Sequence, residues 1–343
     1  MAAARAARSS GSPRAASPRP RISACLIVRD EAALLPRCLR SLRGAYDELC
    51  VVDTGSRDDT PELARRAGAR FASFTACNGA DGKIEDFAAA RNAALALATG
   101  DWILQIDADE VLARGAAARV RRHARGDAGG VMVTVRDGAE HWLSLRLVRR
   151  APGLRYVGRL HEYPEHEPPL RTVTDRQLVI SNRPDKRGKE SAGARNLRIL
   201  RLELAEHPDN ARALYQLGNE LRVAGQLPDA VAAYRRSIQL GTYRQGLFAA
   251  RYYLAVCHVR LRAWEEAIDA GLDALRLDPR YAEAHCLLGD VYFARGEPAL
   301  AQQWYRSALV CGEPPPTPMA VQRWAYGPYP RKRLRQVAAA LRG

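Results

Sequence analysis

Asp101-Trp-Ile-Leu-Gln-Ile-Asp-Ala-Asp-Glu110 decides the fold of this 343-residue chain. Trp102, Ile103, Leu104 and Ile106 form a short apolar run, the pattern of a strand covered on both faces. The run from Trp102 to Ile106 ends in Asp107, Asp109 and Glu110. Carboxylates crowded at a strand end repel one another, and a hard divalent cation relieves that repulsion by taking oxygen ligands. Open α/β sheets bind ligands beyond the carboxyl ends of their strands. The stretch therefore predicts either a metal-assisted site for a phosphate ligand or an acidic loop that caps the next helix.

The preceding hundred residues alternate between strand and helix patterns. Ile22 to Val28 is an apolar strand ending in Arg29-Asp30-Glu31, and leucines at 34, 35, 39 and 42 predict a helix over 31–43, closed by Gly44. Glu48 to Val52 is a second strand, followed by Asp53-Thr-Gly-Ser-Arg-Asp-Asp59. Asp58 or Asp59 can cap the next helix, 61–67, and Arg70 to Phe74 is a third strand. A polar loop, 75–85, leads to a helix from Asp86 to Ala98 that carries Arg91-Asn92. This is the βαβ alternation of a parallel sheet with right-handed crossovers. In such a sheet the strand ends share one edge, so Asp30/Glu31, Asp53 and Asp107/Asp109 converge. Neither GxGxxG nor GxxxxGK[ST] occurs near these strands, which disfavours a dinucleotide Rossmann site and a P-loop. A phosphate ligand would then be held by metal plus arginine.

Four ordered stretches carry a resemblance: Leu26-Ile-Val-Arg-Asp-Glu31, Val51-Val-Asp-Thr-Gly-Ser-Arg-Asp-Asp-Thr60, Asp86-Phe-Ala-Ala-Ala-Arg-Asn-Ala-Ala-Leu95 and Ala98-Thr-Gly-Asp-Trp-Ile-Leu-Gln-Ile-Asp-Ala-Asp-Glu110. Together they resemble the successive signatures of family 2 glycosyltransferases, over roughly residues 21–112. The resemblance implies a GT-A fold, a nucleotide-diphospho-sugar donor (UDP-linked ahead of GDP-linked), Mn²⁺ or Mg²⁺, and inversion at the anomeric carbon. It implies that Asp53 holds the nucleoside base, Asp107 lies near the ribose or the metal, and Asp109 binds the metal on the diphosphate. Arg91 matches a basic position facing the donor, and Glu31 stands among the donor-binding residues. Glu110 is left with a supporting or helix-capping role. Turn formation is the plain alternative for Asp53, and a surface ion pair for Arg91.

Residues 113–124 read as a helix, and 130–135 and 143–148 as strands. Arg146-Leu-Val-Arg149 and Tyr156-Val-Gly-Arg-Leu-His-Glu162 resemble a later signature of a family 2 subset that includes lipopolysaccharide-core glucosyltransferases and TPR-bearing peptide S-glycosyltransferases. An inverting transferase needs a base for the acceptor proton, and Glu162 is the candidate. His161 would contact the metal or diphosphate. Glu165 and His166 lie close enough to be confused with that pair, and His141-Trp142 could line an acceptor pocket or the core. Thr172 to Ser181 is a further strand; where relatives often carry His this chain has Asn182, so no ligand is assigned there.

The second half repeats. From Ala211, the residues Leu214, Leu217, Gly218, Leu221, Ala230 and Tyr234 fall on tetratricopeptide (TPR) positions, and registers starting at Phe248 and Ala282 follow 37 and then 34 residues later. Small residues let the helices approach, while Leu, Tyr and Phe fill between them. Residues 196–206 predict an opening helix, 314–318 break the array, and 334–341 predict a closing helix, with Trp324, Tyr326 and Tyr329 covering the last repeat or reaching toward the cleft. The expected organisation is a basic tail (1–20), a GT-A domain (21–190), TPR-like repeats (196–313) and a Pro/aromatic closing segment (314–343). The array would serve a peptide, glycan or lipid-linked acceptor, a protein partner or a homodimer.

The net charge of +15 invites a nucleic-acid reading, but Lys occurs only four times and the arginines are spread along the chain. No nucleic-acid partner is therefore expected. Seven cysteines without a CxxC pair suggest neither structural zinc nor a thioredoxin-like site, and fit a reducing cytoplasm. No apolar run is long enough to span a membrane. A catalytically inactive scaffold and a nucleotidyltransferase are the competing readings; the latter normally needs a Gly-rich, basic first loop, which Arg29-Asp30-Glu31 is not.

Overall fold

A computed structural model describes residues 19–138, 140–184, 190–314 and 322–342. The basic tail and residues 315–321 of the proline-rich break thus fall almost wholly outside the described residues. Two bodies follow one another, a mixed α/β sheet domain and a helical array, as the sequence predicts.

The first strands are β1 (Ile22–Val28), β2 (Glu48–Asp53), β3 (Arg70–Ser73) and β4 (Trp102–Gln105). All are parallel: β1 pairs with β2 and β4, and β2 with β3. The sheet then turns mixed. β5 (Glu110–Leu112), β6 (Gly130–Asp137), β7 (Glu140–Arg149) and β10 (Thr172–Asn182) complete eight strands in the order β3-β2-β1-β4-β7-β6-β10-β5. A separate ribbon pairs β8 (Arg155–Val157) with β9 (Tyr163–Glu165).

The helices of this domain are α1 (Leu35–Ser41), α2 (Thr60–Arg66), α3 (Phe87–Leu97) and α4 (Ala116–Ala124). The helix expected over 31–43 is shorter, because residues 31–34 form a turn in which Glu31 O accepts from Leu34 N at 3.0 Å and Pro36 occupies the first helical turn. The helix expected from 113 starts after Gly115, whose φ of 80° is left-handed. Asp58 accepts from Thr60 N at 3.0 Å and so caps α2, whereas Asp59 makes no side-chain cap. Asp86 caps α3 by accepting from Ala89 N at 2.8 Å. The alanines of α3 (Ala88, Ala90, Ala94) are buried and let it lie close on β1 and β2.

Glu48 ties three chain segments together. Its carboxylate accepts from Ser23 Oγ on β1 at 2.5 Å, from Thr99 N and Oγ1 at 2.8 and 2.9 Å, and from Arg70 on β3 at 3.1 Å. Burial works against its charge, but the bonds from Ser23, Thr99 and Arg70 prevail and hold the carboxyl down at about 2.

The array is α5 (Ala192–Glu206), α6 (Ala211–Val223), α7 (Leu227–Leu240), α8 (Leu247–Arg260), α9 (Trp264–Leu277), α10 (Ala282–Ala294), α11 (Pro298–Val310) and α12 (Pro328–Ala340). The opening helix thus starts four residues earlier than 196. Helices α6 to α11 form three hairpins, and the repeat register holds atom by atom in the outer two. A Cβ on Gly218 would lie 2.7 Å from the Tyr234 ring, and one on Gly289 would lie 2.6 Å from the Tyr305 ring. Tyr234 donates to Asn219 at 2.7 Å and Tyr305 to Asp290 at 2.6 Å, in equivalent positions. The middle hairpin exchanges that pair for Ala255 and Gly271, the latter close to Leu288 of the next repeat. Ala325, Tyr326 and Tyr329 pack on Ala282, Cys286 and Ala308, so this aromatic segment covers the last repeat. Among the described residues no helix is long and apolar enough to cross a membrane, and all seven cysteines are free.

Two stability tests follow. Glu48→Gln should cost about 2 kcal/mol at pH 7. Because the folded carboxyl titrates below its ordinary value, the deficit should shrink as pH falls from about 4.5 toward 2. Urea melts across that range would show a pH-independent gap if Glu48 made no such network. Gly289→Ala should cost about 1–3 kcal/mol through overpacking against Tyr305, and an unchanged melt would contradict the close approach.

Candidate active site

Three acidic strand ends do meet at one sheet edge, but they do different work. Asp53 is buried and its carboxylate accepts from Gly55 N at 3.1 Å and from Ser56 N at 3.2 Å, with Ser56 Oγ closer still. It shapes the turn after β2, and its neighbour Thr54, not Asp53, lines the cleft. Asp30, at a left-handed φ of 51°, accepts from Arg57 N at 2.7 Å and laces the loops after β1 and β2 together. Glu31 lines the cleft, and its backbone N–H donates to Thr60 Oγ1 at 2.7 Å.

At the end of β4 the chemistry concentrates around Arg91 of α3. The Arg91 guanidinium is buried and reaches both Asp107 Oδ1 (2.8 Å) and Glu162 Oε1 (2.5 Å). Burial opposes its charge, but Asp107 and Glu162 outweigh that and keep it ionised. Arg146 of β7 binds Glu110 at 2.7 Å and lies 3.6 Å from Asp107. Of the two roles expected for Glu110 the structure shows the supporting one and not the helix cap: it opens β5, is buried against Arg146, and its carboxylate accepts from Asp107 N at 2.9 Å. It braces the acidic loop.

Arg91, Arg146, Asp107, Glu110 and Glu162 set three carboxylates against two guanidiniums, before Asp109 is counted. Burial first, with Asp107 and Asp109 adding to it, pushes Glu110 up to about 7 against the pull of Arg146. A cluster with that surplus of negative charge suits a bound cation. Among the described residues no group of three or more His, Cys, Asp or Glu could hold a metal by itself. Asp107, shared with Arg91 and Arg146, and Asp109 are the carboxylates of the acidic loop that line the cleft, and a hard cation there would need further oxygen ligands from outside the protein.

His161 and Glu162 sit on the turn of the β8–β9 ribbon, after Gly158 (φ 86°) and with His161 itself at φ 54°. Neighbours fasten this ribbon from both sides. Asn92 of α3 exchanges two bonds with the Tyr156 backbone, at 2.7 and 2.9 Å. From the array, Glu203 accepts from Arg159 N at 3.1 Å, Glu206 pairs with the Arg159 side chain at 2.6 Å, and Arg212 donates to His161 O at 2.9 Å. Arg212 also lies over the Tyr163 and Tyr243 rings, at 4.5 and 5.2 Å. His161 is exposed on this turn. The protein atoms around it, with Arg212 and Arg195 and against Glu162, push its pKa below the ordinary imidazole value. Glu165 pairs with Arg155 and His166 with Pro168 O, so neither competes with His161-Glu162 for the site.

Two cavities meet at this cluster. One, of about 550 Å³, is lined by Glu31, Thr54, Phe87, Asp109 and Arg195, among others. The second, of about 1030 Å³, is lined by Trp142, His161, Glu162, Arg212 and Tyr243, among others. Arg91 and Asp107 line both. Asp109 faces the first and Glu162 the second. Trp142 both lines the second cavity and packs on the sheet core. Asn182 pairs in register with Glu110, and its amide nitrogen donates to Asp137 at 3.3 Å.

Sequence reasoning quoted Arg146 in a signature without giving it a role, and missed Arg195 and Arg212. For Arg146 a signal existed, an arginine among the alternating leucines of a strand. For the other two it did not, because the array was read for its core positions and its polar faces were left aside.

Comparison with known proteins agrees with this architecture. Residues 23–194 match the Glycosyl transferase family 2 profile, and residues 192–245, 215–282 and 272–316 match Tetratricopeptide repeat. A TPR repeat-containing protein of Synechococcus elongatus is 33% identical over 309 residues, covering 84% of this chain and 75% of its own. The SPbeta prophage-derived glycosyltransferase SunS of Bacillus subtilis is 26% identical over 64% of this chain and 53% of its own, so the chain spans about half of that relative. An uncharacterized glycosyltransferase of Rickettsia felis is 35% identical over 94 residues, 27% of this chain and 30% of its own. With the family match extending over half of its residues and a helical repeat array behind it, the chain belongs to glycosyl transferase family 2.

Proposed function

We propose that the protein transfers a sugar, with inversion, from a UDP-linked donor to a hydroxyl or thiol acceptor bound between its two domains. The observation that carries this reading is the meeting of two cavities at Arg91 and Asp107, with Asp109 on one side and Glu162 on the other. In-line displacement needs leaving group and nucleophile on opposite faces of the anomeric carbon, and a cavity on each side of a shared cluster supplies that layout.

The donor diphosphate would lie in the smaller cavity, against Asp107 and Asp109. A Mn²⁺ or Mg²⁺ held there would stabilise the charge that builds on the departing diphosphate. Asp53 would act through the turn that it shapes, on which the nucleoside base would rest. The acceptor would enter the larger cavity, where Glu162 takes its proton as the new bond forms. Arg91 fixes the direction of the Glu162 carboxylate, and the neutral His161 imidazole beside it can hydrogen-bond the acceptor or the diphosphate. Because Arg212, Asn210, Gln216 and Tyr243 line that cavity, the array would take part in holding the acceptor. Recruitment of a protein partner or a second copy through the remaining repeats is a further role such arrays support.

Nucleotide release from a panel of UDP- and GDP-sugars, with and without Mn²⁺, tests this reading. The wild type should release UDP in the presence of metal, whereas an inactive scaffold would release none. Asp109→Ala should lower turnover about 100-fold or more with an unchanged thermal melt. Glu162→Gln should leave donor KM nearly unchanged while kcat falls about 10²–10⁴-fold. Full transfer by Glu162→Gln would move the base to another residue.

A further inference from the structure

Arg195 stands on α5, one residue beyond the family 2 match, and yet it lines the smaller cavity together with Asp107 and Asp109. The basic side chains of that cavity are not equivalent. Arg91 is engaged by Asp107 and Glu162. Lys83 is shared between Asp81 at 3.5 Å and Glu190 at 3.9 Å, and Arg29 donates to Gly82 O at 2.5 Å. Arg195 differs: its Nε and Nη2 donate to a neutral acceptor, Asn196 Oδ1, at 3.3 and 3.1 Å. Its guanidinium lies over the Phe87 ring at 5.4 Å. It makes no ion pair within 4.0 Å among the described residues. Burial, with Arg198 adding, presses its pKa down despite Glu190 and Glu220, as befits a cation short of direct counter-charge.

We infer that Arg195, contributed by the helical array, binds the diphosphate of the nucleotide donor. A guanidinium presents a planar fork of N–H donors that matches phosphate oxygens, and charge-assisted bonds of this kind are the strong ones. Phe87 lies against the flat face of the group, and the N–H donors that Asn196 does not take remain for phosphate oxygens. Glu190, just before α5, and Arg195 in its first turn border the cavity, so both domains would complete the donor site. The inference rests on the proposed donor reading and adds to it a phosphate ligand from outside the transferase domain.

Titration calorimetry on the full chain with Mn²⁺ tests it, with UDP and uridine as probes. Arg195→Ala should weaken UDP about tenfold and leave uridine unchanged. Arg195→Gln, which keeps part of the stem over Phe87, should show the same pattern and carries the test if the alanine variant melts early. Arg195→Lys should retain most of the UDP affinity. Equal weakening of UDP and uridine, or no weakening of either, would overturn the inference. A wild-type chain that binds neither UDP nor GDP would instead contradict the donor reading itself.

Discussion

The buried guanidinium of Arg91 is the interaction on which the rest of the site depends. It bonds Asp107 at the end of β4 and Glu162 on the β8–β9 turn, two residues 55 positions apart in the chain. A buried charge that loses a partner is costly, about 3–5 kcal/mol, so the position of each carboxylate is enforced by the other. The neighbouring Asn92 fixes the same ribbon through the Tyr156 backbone. Two consecutive residues of α3 thereby set the distance between the acidic loop and the His161-Glu162 turn. Helix α3 can do this because its alanines seat it close on the sheet and Asp86 defines where it starts.

A second constraint comes from the array. The His161-Glu162 turn includes a non-glycine residue at positive φ, a conformation that its surroundings must hold in place. Glu203, Glu206 and Arg212 supply three of the contacts that do so. The helical repeats therefore form one wall of the larger cavity and a clamp on the His161-Glu162 turn. A ligand that shifted α5 or α6 would be felt at Glu162 through these bonds.

The sheet and the repeats were legible in the sequence because each rests on a local pattern. Apolar runs closed by acids mark β1, β2 and β4, and the small-residue register at Gly218 and Gly289 marks the hairpins. Asp107 and Asp109 were legible as a strand end of a parallel sheet, but the arrival of Glu162 beside Asp107 was legible only through family resemblance, since β8–β9 packs against α3 by contacts no periodicity announces. For Glu110 the sequence left a supporting role and a helix cap side by side, because acid-rich turns often precede helices; here a three-residue strand intervenes and Arg146, 36 positions on, claims the carboxylate. Asp53 illustrates the reverse case. Its Thr-Gly-Ser neighbours announced a turn, and its hydrogen bonds are those of a turn. The arginines of the array stayed hidden because a repeat consensus describes what lies between helices and is silent about what a helix presents to another domain.

The division of the site into a donor side and an acceptor side at Arg91 and Asp107 is the central claim. A crystal structure of the full chain with UDP and Mn²⁺ tests it most directly. The diphosphate should lie in the cavity lined by Asp109 and Arg195, with an anomalous Mn²⁺ signal within coordination distance of the Asp109 carboxylate and no nucleotide beside Glu162. Nucleotide bound in the larger cavity, against Trp142 and Arg212, would contradict the account.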